Sequence, residues 1–181
     1  MKVNKIIGEC LIKMGEADFA SKTSYTDTEQ KLIDALLAAL NIAYREVVCE
    51  YLPLVHTETI LFKDGEYNVG SLEKKIIYPI KVKKGDAVAA FKAYADRIVA
   101  AAEGCATLEY AYMPEELKLT DDIENLRLTQ SALSDGALGE YYFANKVFDL
   151  AKSFDSSFRE KLGFLRYKGR RLMLKERRWQ V

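Results

Sequence analysis

Two adjacent carboxylate pairs, Glu115–Glu116 and Asp121–Asp122, one histidine, His56, and three cysteines, Cys10, Cys49 and Cys105, are the residues whose types suit acid–base, metal or thiol chemistry. Paired carboxylates can trade a proton or hold Mg²⁺, but sites of that kind draw their acids from separated segments, and here each pair is contiguous. Asp121–Asp122 directly after Thr120 reads instead as a helix start, a hydroxyl cap followed by acids at the positive end of the helix dipole. Glu115–Glu116 reads as a solvated loop. His56 stands in a β-branched run with no Ser or Cys motif for it to serve, which gives it a structural role. The cysteines lie far apart among apolar neighbours, so buried, reduced thiols are expected rather than a disulfide or a metal site. The glycines form neither a phosphate loop nor a dinucleotide fingerprint. Tyr110 and Tyr112 share one strand face without interleaved Lys or Arg, which favours packing over base stacking. The expectation is a protein without catalytic residues, metal or cofactor.

The strongest feature is electrostatic. From Ser156 to Val181 there are nine Lys or Arg against two Glu, a net charge of +7, whereas the whole chain of 181 residues sums to zero and residues 1–155 therefore carry −7. Such asymmetry points to an acidic or polyanionic partner. Within Gly169 to Trp179, Arg171, Met173 and Lys175 alternate with Leu172, Leu174 and Glu176, the period of an extended segment. Large apolar residues at that alternation are costly in water and suit docking onto a protein surface. The expected docking residues are Arg170, Arg171, Leu172, Leu174, Lys175, Arg177, Arg178 and Trp179.

Several elements must carry these residues. Val3, Ile6, Ile7, Cys10, Leu11 and Met14 form one apolar stripe, a helix that Gly15 can close. Asp27 as cap, with Gln30 at the capping-box position, predicts a second helix whose apolar stripe runs from Leu32 to Val48 until Pro53 stops it. Val55 to Phe62 is strand-like, Lys63-Asp-Gly-Glu66 is a hairpin turn and Glu66 to Val69 returns. Lys74 to Lys83 is a further strand whose Pro79 marks an edge or bulge, and Cys105 to Met113 is another. Between them, residues 87–103 suit an alanine-rich helix by propensity, or a pair of short strands around Ala89–Tyr94 and Arg97–Ala101. After the Thr120 start, Ile123, Leu126, Ala132 and Leu133 predict a helix, and a break follows near Ser134-Asp-Gly136. A second helix carries Leu138, Tyr141, Tyr142, Val147, Phe148 and Ala151, and a short third runs from Asp155 to Leu165.

The reading is an α+β fold: a helical bundle with an inserted small antiparallel β-rich domain and an extended C-terminal tail. Residues 1–52 and 115–166 form the bundle, 53–114 the insertion and 167–181 the docking tail. About half of the residues are apolar, yet no run approaches the roughly 20 needed to span a bilayer, and the start breaks up too early for a signal peptide. An intracellular product without membrane contact is expected.

Phe91-Lys-Ala-Tyr-Ala-Asp-Arg-Ile-Val99, Leu108-Glu-Tyr-Ala-Tyr-Met-Pro-Glu-Glu-Leu-Lys-Leu-Thr-Asp-Asp122, Gly139-Glu-Tyr-Tyr-Phe143 and Arg177-Arg178-Trp179, together with Tyr44 to Pro53, resemble the head-to-tail connector (adaptor, tail-tubular-like) proteins of tailed bacteriophages. The resemblance covers roughly residues 40–179. It implies a structural virion protein of the neck, a homo-oligomeric ring, typically dodecameric, below the portal. In such rings the C-terminal segment reaches the portal protein or other neck and tail proteins, and DNA passes through the enclosed channel without specific binding. It also implies strands, not helix, across 87–103. The alternative function is a nucleic-acid-binding module that uses the basic tail for phosphate contacts, with affinity falling steeply in salt, a log–log slope of about −0.9 per contact.

Overall fold

The computed structural model describes residues 1–20, 22, 25–123 and 128–168. The fold is α+β. Helices α1 (Val3–Met14), α2 (Ala17–Ala20) and α3 (Asp27–Glu50) precede seven strands, and α4 (Gln130–Ala144) and α5 (Phe148–Lys168) follow them. The chain forms two compact units, one from residues 1–43 with the described residues from Leu117 onward, the other from Tyr44–Glu116.

In the helical unit, α1 buries Val3, Ile6, Ile7, Cys10 and Leu11 of the expected stripe and leaves its last member, Met14, half-buried, and Gly15 closes the helix in the left-handed region at φ 88°. The capping box of α3 lies one residue earlier than the sequence suggested. Thr26 Oγ1 accepts the Glu29 N–H at 3.4 Å while Glu29 Oε2 accepts the Thr26 N–H at 2.9 Å, because a hydroxyl followed three residues later by Glu satisfies both orphan donors.

The expected helix start at Thr120 is not one. Asp121 Oδ2 closes a turn by accepting the Lys118 N–H at 2.8 Å, and Asp122 forms an antiparallel bridge with Lys2. The Val3 N–H donates to Asp121 O at 3.0 Å and the Ile123 N–H to Met1 O at 2.8 Å, so backbone groups that a helix would use are committed to the start of the chain. Leu126 lies outside the described residues. Thr129 caps helix α4, its side chain accepting the Ala132 N–H.

Nor does Ser134-Asp-Gly136 break the chain. Helix α4 runs through it, and the interruption falls at Asn145 to Val147, where Lys146 takes φ 63° and its N–H bonds back to Phe143 O. The segment from Asp155 is the second part of α5, with Phe158 and Leu162 buried as the stripe predicts. Gly136 is there for space: a Cβ would meet Ala43 Cβ and Phe158 Cε2, each at 2.9 Å.

The β unit holds two antiparallel sheets. Strands β1 (Leu54–Phe62), β7 (Gly104–Tyr112), β3 (Ile76–Lys84) and β4 (Ala87–Ala89) form one in that order; β2 (Glu66–Asn68), β6 (Arg97–Ala100) and β5 (Phe91–Ala93) form the other. Lys63 and Glu66 exchange backbone hydrogen bonds of 3.1 and 2.9 Å around Asp64 and Gly65, both at positive φ, the hairpin turn expected. Past that turn the chain departs from a simple hairpin, since β2 pairs with β6 and β1 with β7. Pro79 sits between two register irregularities of β3, and β4 pairs only with Val82–Lys84, so the missing donor costs no ladder bond on that side.

Residues 87–103 hold three short strands, β4, β5 and β6, rather than a helix, as the connector resemblance implied and against local propensity. Ile98, Ala100 and Ala102 are buried at a period of two in a core with Ile60, Phe62, Val82, Ala106, Leu108 and Tyr110; tertiary burial outweighs the helix preference of alanine.

Gly136→Ala should destabilise the helical unit by about 1–3 kcal/mol through overpacking. Chemical denaturation of wild type and variant measures it; an unchanged midpoint would contradict the close approach.

Candidate functional site

Seven polar side chains from three helices meet inside the helical unit. Helix α1 supplies Glu9 and Lys13, one turn apart; α4 supplies Ser131, Ser134 and Asp135; α5 supplies Ser157 and Lys161. Lys13 Nζ lies 2.6 Å from Asp135 Oδ1, 2.6 Å from Ser134 Oγ and 2.9 Å from Glu9 Oε1. Ser157 Oγ donates to Asp135 Oδ2 at 2.6 Å, and Lys161 Nζ donates both to that oxygen and to Ser131 Oγ, the latter at 2.7 Å. Asp135 is 3% exposed and Ser134 fully buried. Two carboxylates face two ammonium groups, and no buried side-chain polar atom among the described residues lacks a partner.

Burial alone would raise the Asp135 pKa, but hydrogen bonds from Lys13, Lys161 and Ser157 outweigh it and hold the carboxyl below its ordinary value. Glu9 behaves likewise: burial pushes up, Lys13 and Ser134 pull down, and the net is downward. For Lys13, burial pushes down while Asp135 and Glu9 push up, and the net is upward. Burial drives the Cys10 thiol, which donates to Ser134 O at 3.6 Å, up to about 12. It is a neutral packing group, not a nucleophile.

A serine 2.6 Å from a lysine has the form of a Ser–Lys nucleophile pair. That chemistry needs a neutral lysine and an accessible hydroxyl. Here Lys13 is held charged and Ser134 is sealed, so the arrangement does the work of a lock among α1, α4 and α5.

The residues singled out from the sequence are dispersed. The docking residues Arg170, Arg171, Leu172, Leu174, Lys175, Arg177, Arg178 and Trp179 lie outside the described residues. Glu116 pairs with Arg45 at 3.0 Å on the surface of the β unit, and His56 packs edge-on against Tyr110 and Tyr112. Tyr110 is fully buried, in keeping with a packing role. Of the thiols, Cys10 is buried and Cys49 half-buried, but Cys105 is exposed. Cys105 pairs with the equally exposed Leu61 on the solvent face of the sheet, a face its apolar neighbours in sequence do not reveal.

An exposed apolar corner escaped the sequence reading. Around the α4–α5 turn, Phe143 (63% exposed), Val147, Phe148 (59%) and Leu150 face outward, and the two phenylalanine rings meet edge to face with centroids 5.8 Å apart. The signal was present: Phe143 and Phe148 flank the Asn145-Lys146 turn, and Phe143 adjoins rather than joins the stripe of Leu138, Tyr141 and Tyr142.

Comparison with protein-family models gives no match, and neither does comparison with curated proteins. Among the described residues, no helix is long and apolar enough to cross a membrane.

Asp135→Asn leaves two lysines facing a neutral amide and should cost about 3–5 kcal/mol, read by denaturant titration. The lowered pKa values of Asp135 and Glu9 give stability that is present above the unfolded carboxyl pKa and lost as pH falls through the folded values. The raised value of Lys13 gives stability present below the unfolded ammonium pKa and lost as pH rises through the folded one. Thermal melts across pH should therefore fall at both extremes, and Asp135→Asn should flatten the acid limb.

Proposed function

We propose that this chain is the subunit of a homo-oligomeric ring, a head-to-tail connector of a tailed-phage particle that lies below the portal and encloses the DNA channel. The observation that carries the reading is the apolar corner of Phe143, Val147, Phe148 and Leu150, exposed on a helical unit whose polar interior is already neutralised. Burying such side chains stabilises by roughly 1.5–3 kcal/mol each, so a neighbouring copy covering them gains substantially. The layout also supports it: a helical unit drawn from both sides of an inserted antiparallel β unit is what the connector resemblance of residues 40–179 implies. In this reading the corner serves the ring contact, and the basic, Leu- and Trp-bearing segment beyond residue 168 serves the portal or another neck protein. Net charge of −7 over residues 1–155 suits a wall along which DNA slides without being gripped.

Native mass spectrometry and negative-stain imaging should show closed rings for the wild type and folded, smaller species for Phe143→Ser/Phe148→Ser. Rings unchanged in the double variant, or a wild type that stays monomeric at high concentration, would overturn the assignment. Deleting 169–181 should leave the fold intact and abolish portal co-assembly. Duplex binding that weakens steeply with salt and vanishes on that deletion would favour the nucleic-acid module instead.

A further inference from the structure

At one end of the β unit three potential ligands converge. His56 and Glu58, two apart on β1, project from the same face of the strand, and Glu73 reaches them from the loop before β3. One ligand atom of each lies within 4.8 Å of the other two, and His56 Nε2 is 3.3 Å from Glu73 Oε2. Ligands about 2.0–2.2 Å from a tetrahedral ion stand about 3.3–3.6 Å from one another, so the His56–Glu73 pair already has that spacing. The exposed Glu73 side chain can make the remaining adjustment.

The surroundings hold Glu58 in place. Its Oε2 accepts the Tyr110 hydroxyl at 3.0 Å and the Glu73 N–H at 3.2 Å, while Oε1 accepts no hydrogen bond among the described residues. Donors of this kind orient a ligating carboxylate from behind. Among the described residues no Lys or Arg forms an ion pair with Glu58 or Glu73; the nearby Lys74 ammonium instead sits over the Tyr112 ring, 4.3 Å from its centroid. Two carboxylates thus face one imidazole with no fixed cation between them.

We infer that His56, Glu58 and Glu73 form a binding site for a divalent transition-metal ion of the Zn²⁺ type. One imidazole nitrogen with two carboxylate oxygens suits Zn²⁺, Co²⁺ or Mn²⁺, whereas Mg²⁺ prefers oxygen donors alone. Three protein ligands leave at least one position for water. Occupancy ties the segment around Glu73 to β1. The inference is independent of the ring assignment, because every ligand comes from a single β unit.

Isothermal titration of the full chain with ZnCl₂ tests it, in a Cys105→Ser background that removes the exposed thiol. One Zn²⁺ should bind per chain, Co²⁺ should compete and Mg²⁺ should not. Glu73→Gln, on an exposed side chain that the fold does not need, should weaken binding at least tenfold, as should His56→Ala. Zn²⁺ should raise the melting temperature of the parent and not that of Glu73→Gln. Absence of Zn²⁺ binding, or equal affinity in Glu73→Gln and the parent, would overturn the site.

Discussion

A single buried carboxylate organises the helical unit. Asp135 sits inside α4, and its ionised form is tolerable there only because Lys13 from α1, Lys161 from α5 and the Ser157 hydroxyl all converge on it. Removing a carboxylate from water costs several kcal/mol, and the attraction of its partners offsets that cost only in good geometry. Neither α1 nor α5 can leave α4 without stranding a charge, so the cluster selects one packing among the several that apolar stripes alone would permit. The surrounding apolar side chains, among them Leu11, Leu36, Leu133, Leu138 and Leu162, supply the burial; the ions supply the register.

The same cluster ties distant parts of the chain. Lys13 and Asp135 are 122 positions apart, and the β unit lies between them in sequence. The start of the chain is held a second way, by the bridge of Lys2 to Asp122 and the bond from Ile123 to Met1 O. Closing such a loop costs conformational entropy that the contacts at its ends must offset. Gly136 belongs to the same design, since only a residue without a Cβ admits Ala43 and Phe158 so near the helix that carries Asp135.

Much of this was legible in the residue order wherever one side of an element meets solvent. The α1 stripe, the α3 stripe and the alternation of β1 and β7 all mark a boundary between core and water, and periodicity reports such boundaries. Helix α4 was opaque for the opposite reason. Every residue from Ala132 to Gly139 is buried, so no polar face marks the period, and Ser134, Asp135 and Gly136 mimic a loop by composition. The seven-residue cluster was invisible because its members come from three helices, and no local spacing announces a contact made across the whole chain. Residues 87–103 misled by propensity because alanine is compatible with both periods; the burial of Ile98, Ala100 and Ala102 decides for strand. The apolar corner was hidden behind a helix break placed about ten residues too early, which put Val147 and Phe148 in one continuous stripe with Leu138, Tyr141 and Tyr142.

If the cluster is what joins the three helices, they must open together. Native-state hydrogen exchange at neutral pH measures this directly. The account predicts that the slowest amides of α1, α4 and α5 share one opening free energy, because breaking any one interface exposes the same buried charges. Exchange of α1 through a separate opening of much lower free energy, with α4 and α5 still protected, would contradict it.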